Sequence, residues 1–304
     1  LFKYHTSYNN NSIKTVEIQA KIKTLPDEIF ASCYDLTSIV LPDTLEEIGS
    51  NAMNYCSSLT KIEIPDSVRT IGTYAFYSCG KLTDLKLPES LEEIGSSAFS
   101  YCKSITDIEF NDILKIIWGG AFSYCEALEK VELPESLKDV KSEYGYISER
   151  ALNGSTFLGC KNLKEAIIPE GIIQITSSTF SNCEKLEKVT LPSTVEIIGG
   201  YSFQGCTSLK TIELPEGTKT IEGNAFKDDV LLYGVYIPAS VTSITDSAFT
   251  GCSFLVIYGE KNSYTEEWAT NHKIKFIAGK VPDSEKWTYF DANVHQKADS
   301  NNPT

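Results

Sequence analysis

The 304-residue sequence is poor in the residues and patterns that catalysis and membrane insertion need. Its three histidines are His5, His272 and His295, and it has a single methionine. No apolar run approaches the roughly 18 residues of a membrane-spanning helix. No phosphate-binding loop, zinc-protease motif or nucleophile elbow is present. The sequence therefore predicts a non-enzymatic protein with no direct membrane insertion in this segment.

Positive charge is also scarce. The chain has 27 Lys and Arg against 41 Asp and Glu, which gives a formal net charge of −14. This excess would repel nucleic acid and anionic lipid. We therefore expect no nucleic-acid partner, and the absence of metal-binding spacings predicts no cofactor. The chain begins at Leu1 and not at Met, which predicts a processed form or an excised piece of a longer protein.

Nine cysteines recur at an almost constant spacing of 23 residues: Cys33, Cys56, Cys79, Cys102, Cys125, Cys160, Cys183, Cys206 and Cys252. The Cys125–Cys160 gap is one period plus twelve residues, and Asp229 stands where one cysteine is missing. A fixed period of this length predicts a solenoid. We expect buried free thiols, because neighbouring coils lie about 4.8 Å apart and a disulfide prefers Cβ atoms about 3.8 Å apart.

Each row of the period carries the same apolar columns. Leu59, Ile62 and Ile64 form an L-x-x-L-x-L pattern that ends at a proline, which predicts a short parallel strand. A second extended piece follows and ends at Ile71. Phe76 and Cys79 then recur at a spacing of three, which predicts a helical or 3₁₀ turn. The predicted fold is an α/β solenoid, mainly β, with one parallel strand per repeat.

The shared pattern C-x-x-L-x-x-I-x-L-P-x-S-[LV]-x-x-I-G-x-x-A-F is seen in Cys56–Phe76, Cys79–Phe99 and Cys183–Phe203. These rows resemble the leucine-rich repeats of the bacterial surface antigen A type, also called the treponemal class. The resemblance covers residues 10–251 and implies a right-handed leucine-rich repeat coil. It also implies a secreted or cell-surface protein, often one module of a larger adhesin. Asp229 and Asn111 depart from the pattern.

The columns divide the chain into four parts. Residues 1–10 form an N-terminal edge and residues 10–251 form ten repeats, with a twelve-residue insertion within about 141–156 after Val140. Residues 252–277 are predicted to cap the solenoid, with Ser263 and Glu266 at the spacing of a helix capping box. Residues 278–304 are a polar tail or linker.

Candidate partner-binding residues lie on the predicted strand face and in the insertion. They are Lys61, Glu63, Lys86, Glu109, Glu132, Thr190, Glu213 and Tyr236 on the strands, and Tyr144 and Tyr146 in the insertion. The acidic columns also fit a solvated surface, and the insertion fits a tolerated loop. Tyr55, Tyr101 and Tyr124 precede cysteines and could form either a binding stripe or turn packing.

Two functions follow from these observations. The first is a non-enzymatic surface module that binds a protein or glycan in adhesion or in host or cell–cell interaction. The alternative is a structural spacer within a larger surface protein. An enzyme would need a reactive group that the repeats do not provide, because all three histidines lie outside them.

Overall fold

The computed structural model describes residues 12–139 and 151–282. In these ranges the chain winds into a parallel β-solenoid, as the period predicted. Each coil has three sides. The strand face carries the three-residue strands, the second face carries the two-residue strands, and the turn edge consists of hydrogen-bonded turns around the cysteine.

In chain order the strands are β1 (Thr15–Glu17), β2 (Thr24–Leu25), β3 (Ser38–Val40), β4 (Glu47–Ile48), β5 (Lys61–Glu63), β6 (Thr70–Ile71), β7 (Asp84–Lys86), β8 (Glu93–Ile94), β9 (Ile116–Ile117), β10 (Lys130–Glu132), β11 (Ala151–Leu152), β12 (Glu165–Ile167), β13 (Gln174–Ile175), β14 (Lys188–Thr190), β15 (Ile197–Ile198), β16 (Thr211–Glu213), β17 (Thr220–Ile221), β18 (Gly234–Tyr236), β19 (Ser243–Ile244), β20 (Val256–Gly259) and β21 (Lys275–Ala278). A 3₁₀ helix covers Glu135–Asp139, and helix α1 covers Tyr264–Asn271.

All strand pairs are parallel, and within the repeats they are in the register of the period. The strand face contains the pairs and sheets β1-β3, β5-β7, β10-β12-β14 and β16-β18-β20-β21, and the second face contains β2-β4-β6-β8-β9 and β11-β13-β15-β17-β19. Ile62, for example, lies opposite Leu85, which is 23 residues later. The central residue of most strand-face strands is apolar and buried while its neighbours face solvent, because side chains alternate along a strand.

The insertion lies earlier in its coil than the sequence predicted. Leu152 pairs in register with Ile175, so Leu152 and not Val140 occupies the isoleucine column. Leu137, at the preceding column position, is buried as in the other coils. Leu152 therefore takes the column position that the sequence assigned to Val140, which lies outside the described residues. The column pattern could not resolve this because either apolar residue satisfies it.

The core is a set of stacked columns that run along the solenoid axis. Eight phenylalanine rings stack nearly parallel, with centroids 5.1–5.9 Å apart between neighbours. The last ring, Phe249, meets Trp268 of α1 edge to face at 6.0 Å. The cysteines lie beside this stack, and the thiol of Cys79 donates to the carbonyl of Met53 of the previous coil at 3.2 Å. A small side chain with a weak donor suits this position.

The turn edge differs from the predicted helical or 3₁₀ turn. The i-to-i+3 hydrogen bonds of such a turn are present, for instance from the Cys79 N–H to the Phe76 carbonyl. Most of these turns have two residues with positive φ, however, as at Tyr74 (56°) and Ser78 (59°). Their N–H groups point along the axis and donate to carbonyls of the next coil. The positive φ values stop the turn from continuing as a helix.

The C-terminal end is closed by β20, α1 and β21. Ser263 is the N-cap of α1: its hydroxyl accepts from the Glu266 N–H, and the Glu266 carboxylate accepts from the Asn262 N–H. The Ser263 half of the predicted capping box is therefore confirmed, whereas Glu266 binds the N–H of Asn262 in place of that of Ser263. Trp268 and Ala269 of α1 are buried against the last coil. Within the described residues, no helix has the length and apolar character needed to span a bilayer.

Candidate functional site

Seven of the ten predicted binding residues are exposed along the strand face. They are Lys61, Glu63, Lys86, Glu109, Glu132, Thr190 and Glu213. Two of them form ion pairs with a lysine two residues earlier on the same strand: Glu63 lies 2.9 Å from Lys61, and Glu132 lies 3.4 Å from Lys130. Hydrogen bonding to Lys61 lowers the pKa of Glu63 below its ordinary value. Much of the charge on this face is therefore paired within the protein.

The predicted exposure of Tyr236 is wrong. Its side chain is 3% exposed and packs in a small cluster with Val256, Tyr258 and Val281. Val281 reaches the strand face because the neighbouring position is Gly234, where a Cβ would lie 3.0 Å from a Val281 methyl. The chain after β21 therefore crosses the strand face at this end and covers Tyr236, a contact that the repeat pattern does not contain.

Beside Tyr236 is an open depression of about 480 Å³, lined by Tyr236, Gly259, Glu260, Lys261, Ala278, Gly279 and Lys280. The Lys280 ammonium lies 3.7 Å from the centre of the Tyr236 ring and 3.2 Å from Glu216. The Tyr236 hydroxyl donates to Glu216 at 2.9 Å. Burial and the hydrogen bond to Glu216 raise the pKa of Tyr236 to about 12. Tyr236, Glu216 and Lys280 therefore bind one another at the edge of this depression.

Tyr144 and Tyr146, the predicted binding residues of the insertion, lie outside the described residues.

A second surface is a cluster of tyrosines on the turn edge, which we call the tyrosine cluster: Tyr55, Tyr74, Tyr77, Tyr101 and Tyr124. Tyr77 is its centre, with ring centroids 5.3 Å from Tyr55, 5.4 Å from Tyr74 and 5.5 Å from Tyr101. Tyr101 stacks on Tyr124 at 4.5 Å. The cluster crosses four successive coils, and Tyr55 and Tyr74 are 43% and 41% exposed.

Four of these tyrosines are held in the left-handed region of backbone conformation. The φ values of Tyr55, Tyr74, Tyr101 and Tyr124 lie between 56° and 61°. Other coils place Gly, Ser, Asn or Asp at the position before the cysteine, as at Asn182 and Gly205. A bulky residue there costs on the order of 1 kcal/mol or more. The same conformation recurs outside the cluster at Glu28 and Tyr201, so the cluster is distinguished by the contacts among its rings.

The next coil accommodates the end of the cluster. Gly159 follows Tyr124 in the column before the cysteine, and a Cβ at Gly159 would lie 2.6 Å from the Tyr124 ring. Tyr124 therefore lies over a position that has no side chain. The sequence identified Tyr55, Tyr101 and Tyr124 but missed Tyr74 and Tyr77. The sequence feature that could have identified them is that Tyr74 and Tyr77 stand in one repeat row. Only the coil geometry shows that both side chains lie on the same edge as Tyr55 and Tyr101.

The cysteines do not offer a nucleophile. Eight of the nine are buried and Cys252 is partly buried, and all nine are free thiols. Burial raises the pKa of Cys79, Cys160 and Cys252 to about 12. A thiol with so high a pKa stays protonated and unreactive at neutral pH. Across residues 12–139 and 151–282, no three His, Cys, Asp or Glu side chains are grouped closely enough to hold a metal ion.

Asp229 is a buried acid in the cysteine column. Its Oδ1 accepts from the Cys206 N–H at 2.7 Å, whereas its Oδ2 has no hydrogen-bond partner. Burial raises the pKa of Asp229 to about 9, although the N–H groups of Cys206 and Gly205 act in the opposite direction. The side chain is therefore a neutral carboxylic acid at pH 7. It lies in the core and contributes to no surface site.

The family model described as "BspA type Leucine rich repeat region" matches residues 4–129 and 147–256, in six copies. The matched ranges contain every cysteine of the 23-residue period. No curated protein matches the chain.

Several solved bacterial structures are similar to the chain. A leucine-rich repeat protein from Bacteroides ovatus ATCC 8483 is 24% identical with a TM-score of 0.37, over 90% of this chain and 94% of that one. The T. pallidum leucine-rich repeat protein is 25% identical with a TM-score of 0.45, over 65% and 78%. A leucine rich cell surface protein from Faecalibacterium prausnitzii A2-165 is 26% identical with a TM-score of 0.39, over 86% and 90%.

Proposed function

The chain belongs to the BspA type leucine-rich repeat family, and from this premise we propose that it is a non-enzymatic binding module that is secreted or displayed at the cell surface. Its ligand is a protein or a glycan, bound in adhesion or in host or cell–cell interaction. A leucine-rich solenoid is typically non-enzymatic. The proposed location follows what the family resemblance implies, and the net charge of −14 disfavours nucleic acid as a partner.

One observation carries the binding role, namely the tyrosine cluster. Tyrosine offers large amphipathic contact area at a low cost in side-chain entropy, and it is enriched where proteins bind partners. Here four tyrosines occupy backbone positions that favour smaller residues. The rings of Tyr55, Tyr74 and Tyr101 contact the Tyr77 ring between them, and Tyr101 stacks on Tyr124. A purely structural turn would be more stable with the Gly, Ser or Asn that other coils use.

The test has two parts. Protease shaving and antibody labelling of intact source cells should detect the protein at the surface, and detection only after lysis would contradict the proposed location. The purified chain, immobilised through its C terminus, should then bind from a panel of matrix glycoproteins and glycans. A variant with Tyr55, Tyr101 and Tyr124 replaced by Asn should lose that binding. Equal binding by the variant would move the site elsewhere.

A specific observation also supports the alternative, a structural spacer. On the second face, one column alternates in charge from coil to coil: Lys23 pairs with Glu46 at 2.8 Å, and Glu92 pairs with both Arg69 (2.8 Å) and Lys115. Alternating charges hold neighbouring coils in register and stiffen the solenoid. If the protein is a spacer, removing one whole 23-residue coil should alter its function while the tyrosine variants should not.

A further inference from the structure

The tyrosine cluster has a size, charge and shape that fit one class of ligand. We infer that the cluster binds a neutral, linear oligosaccharide. This inference rests on the binding function proposed above and names its ligand. Three properties carry it: the small exposed area, the local neutrality, and the repeat distance between the rings.

The exposed area of the cluster is much smaller than one side of a protein–protein interface. Tyr55 and Tyr74 are 43% and 41% exposed, and the other three rings are less so. At about 150–250 Å² per aromatic side chain, the cluster presents roughly 300 Å² in all. One side of a standard protein–protein interface contributes about 800 Å². The cluster is therefore the size of a patch that contacts a small ligand.

The surroundings of the cluster are electrically balanced. Lys103 lies 5.9 Å from the centre of the Tyr101 ring, but its ammonium is paired with Glu126 at 2.9 Å. These two residues shift the pKa of Tyr101 in opposite directions, and burial, the largest influence, raises it. The overall charge of −14 additionally repels sulfated and sialylated glycans.

The rings also repeat at the spacing of the solenoid. Tyr55, Tyr77, Tyr101 and Tyr124 come from four successive coils, with neighbouring centroids 4.5–5.5 Å apart. A linear oligosaccharide likewise presents one ring per repeating unit, with apolar C–H faces and hydroxyl groups on each. The C–H faces pack on aromatic surface, and the hydroxyls exchange hydrogen bonds with tyrosine O–H groups.

The backbone holds these side chains in place before a ligand arrives. The N–H groups of Tyr55, Tyr101 and Tyr124 each donate to a carbonyl of the next coil, at 2.7, 2.9 and 2.6 Å. Ordering side chains on binding costs free energy. A ligand whose individual contacts contribute little binding free energy therefore binds measurably only when the site is already ordered. The left-handed tyrosines are therefore a prearranged surface.

The full chain should be titrated with cello-, xylo-, manno- and N-acetylated chito-oligosaccharides of two to six units, and with a sialylated and a sulfated glycan. Saturation-transfer difference NMR would report which sugar protons contact the protein. We expect binding to at least one neutral series, with affinity that rises with ligand length to about four units, one per coil. The triple variant Tyr55→Asn, Tyr101→Asn, Tyr124→Asn should bind at least tenfold more weakly.

Tyr201→Asn is the matched control, because Tyr201 has the same backbone conformation (φ 60°) outside the cluster. It should leave the affinity unchanged, and circular dichroism should show every variant folded. Binding only to charged glycans, to no sugar in the panel, or equally by the triple variant would overturn the inference. If the triple variant instead loses binding to a deglycosylated protein, the oligosaccharide is refuted while the proposed binding function stands. If the triple variant keeps both kinds of binding, the oligosaccharide site is refuted and the proposed binding function moves to another surface. A wild-type chain that binds neither sugar nor protein refutes both.

Discussion

Replacing Asp229 with Asn or Cys should stabilise the protein at neutral pH. The pKa of Asp229 is about 9 in the fold against an ordinary value of 3.8. At pH 7 the unfolded chain therefore gains from ionising this carboxyl, whereas the folded chain does not. At about 1.4 kcal/mol per pKa unit, over the roughly three units between 3.8 and pH 7, the wild type loses about 4 kcal/mol of stability.

The direction of the Asp229 pKa shift determines the pH range in which this acid destabilises the fold. A folded-state pKa above the unfolded value means that the acid does not destabilise the fold below about pH 3.8, and that its cost grows as the pH rises towards 9. Neutral side chains carry no such cost. Asp229→Asn leaves an unpaired amide donor, which costs about 1–3 kcal/mol and offsets part of the gain in the free energy of unfolding. Asp229→Cys should restore the thiol donor of the other coils.

The assay is urea unfolding at pH 4, 5.5, 7 and 8.5, followed by far-UV circular dichroism and by tryptophan fluorescence, since Trp268 reports on the C-terminal coils. At pH 7 both variants should have a free energy of unfolding about 1–4 kcal/mol higher than the wild type. At pH 4 Asp229→Cys should exceed the wild type by less than about 1 kcal/mol, and Asp229→Asn should be up to about 2 kcal/mol less stable because its amide donor stays unpaired. Asp228→Asn is the control, because Asp228 is exposed and its φ of 63° suits Asn. A stability difference that is independent of pH would refute the reasoning.

Four further predictions concern other parts of the fold. Phe180→Ala should cost about 3–5 kcal/mol of unfolding free energy because Phe180 is fully buried within the ring stack; a loss below about 1 kcal/mol in urea melts would contradict this. Glu92→Gln should cost about 1 kcal/mol at low salt by removing the partner of Arg69 and Lys115. Because hydrogen bonding to Lys115 lowers the pKa of Glu92, the difference should vanish as the pH falls below 4.5, and persistence at acid pH would argue against the charge column. Iodoacetamide at neutral pH should leave the cysteines of the native protein unlabelled and should label all nine after denaturation without reductant; fewer than nine adducts by intact mass would contradict nine free thiols. Tyr101→Asn should leave stability unchanged or raise it by up to about 1 kcal/mol, since Asn tolerates the left-handed conformation; a large loss in thermal melts would mean that the cluster is structural packing.

The 23-residue columns determine much of this fold without any structure. Val16, Ile39 and Ile62 recur at one position, and a single row has no neighbour against which to bury such a side chain. Stacking the rows in register is the arrangement that buries all the columns at once. The same applies to the end of the solenoid, where Ser263 and Glu266 specify a helix start through local hydrogen bonds.

The site was less accessible to sequence reasoning, because its residues belong to different columns. Tyr74 and Tyr77 lie at other positions of the repeat than Tyr55 and Tyr101. They meet only because two left-handed residues per coil fold the turn edge and direct several columns to one side. A pattern of apolar and polar residues does not report the sign of φ.

The sequence by itself determined the period, the buried columns, the parallel strands and the capping helix, since each depends on contacts that repeat or on neighbours within a few residues. The tertiary structure decided three things: the position of the extra residues before Leu152, the burial of Tyr236 under Val281, and the grouping of the tyrosines. The Tyr236–Val281 contact and the tyrosine grouping join residues that no single column relates, and the insertion interrupts the period. The period predicts the contacts that are made in every coil. Contacts that are made in only one place are seen only in the tertiary structure.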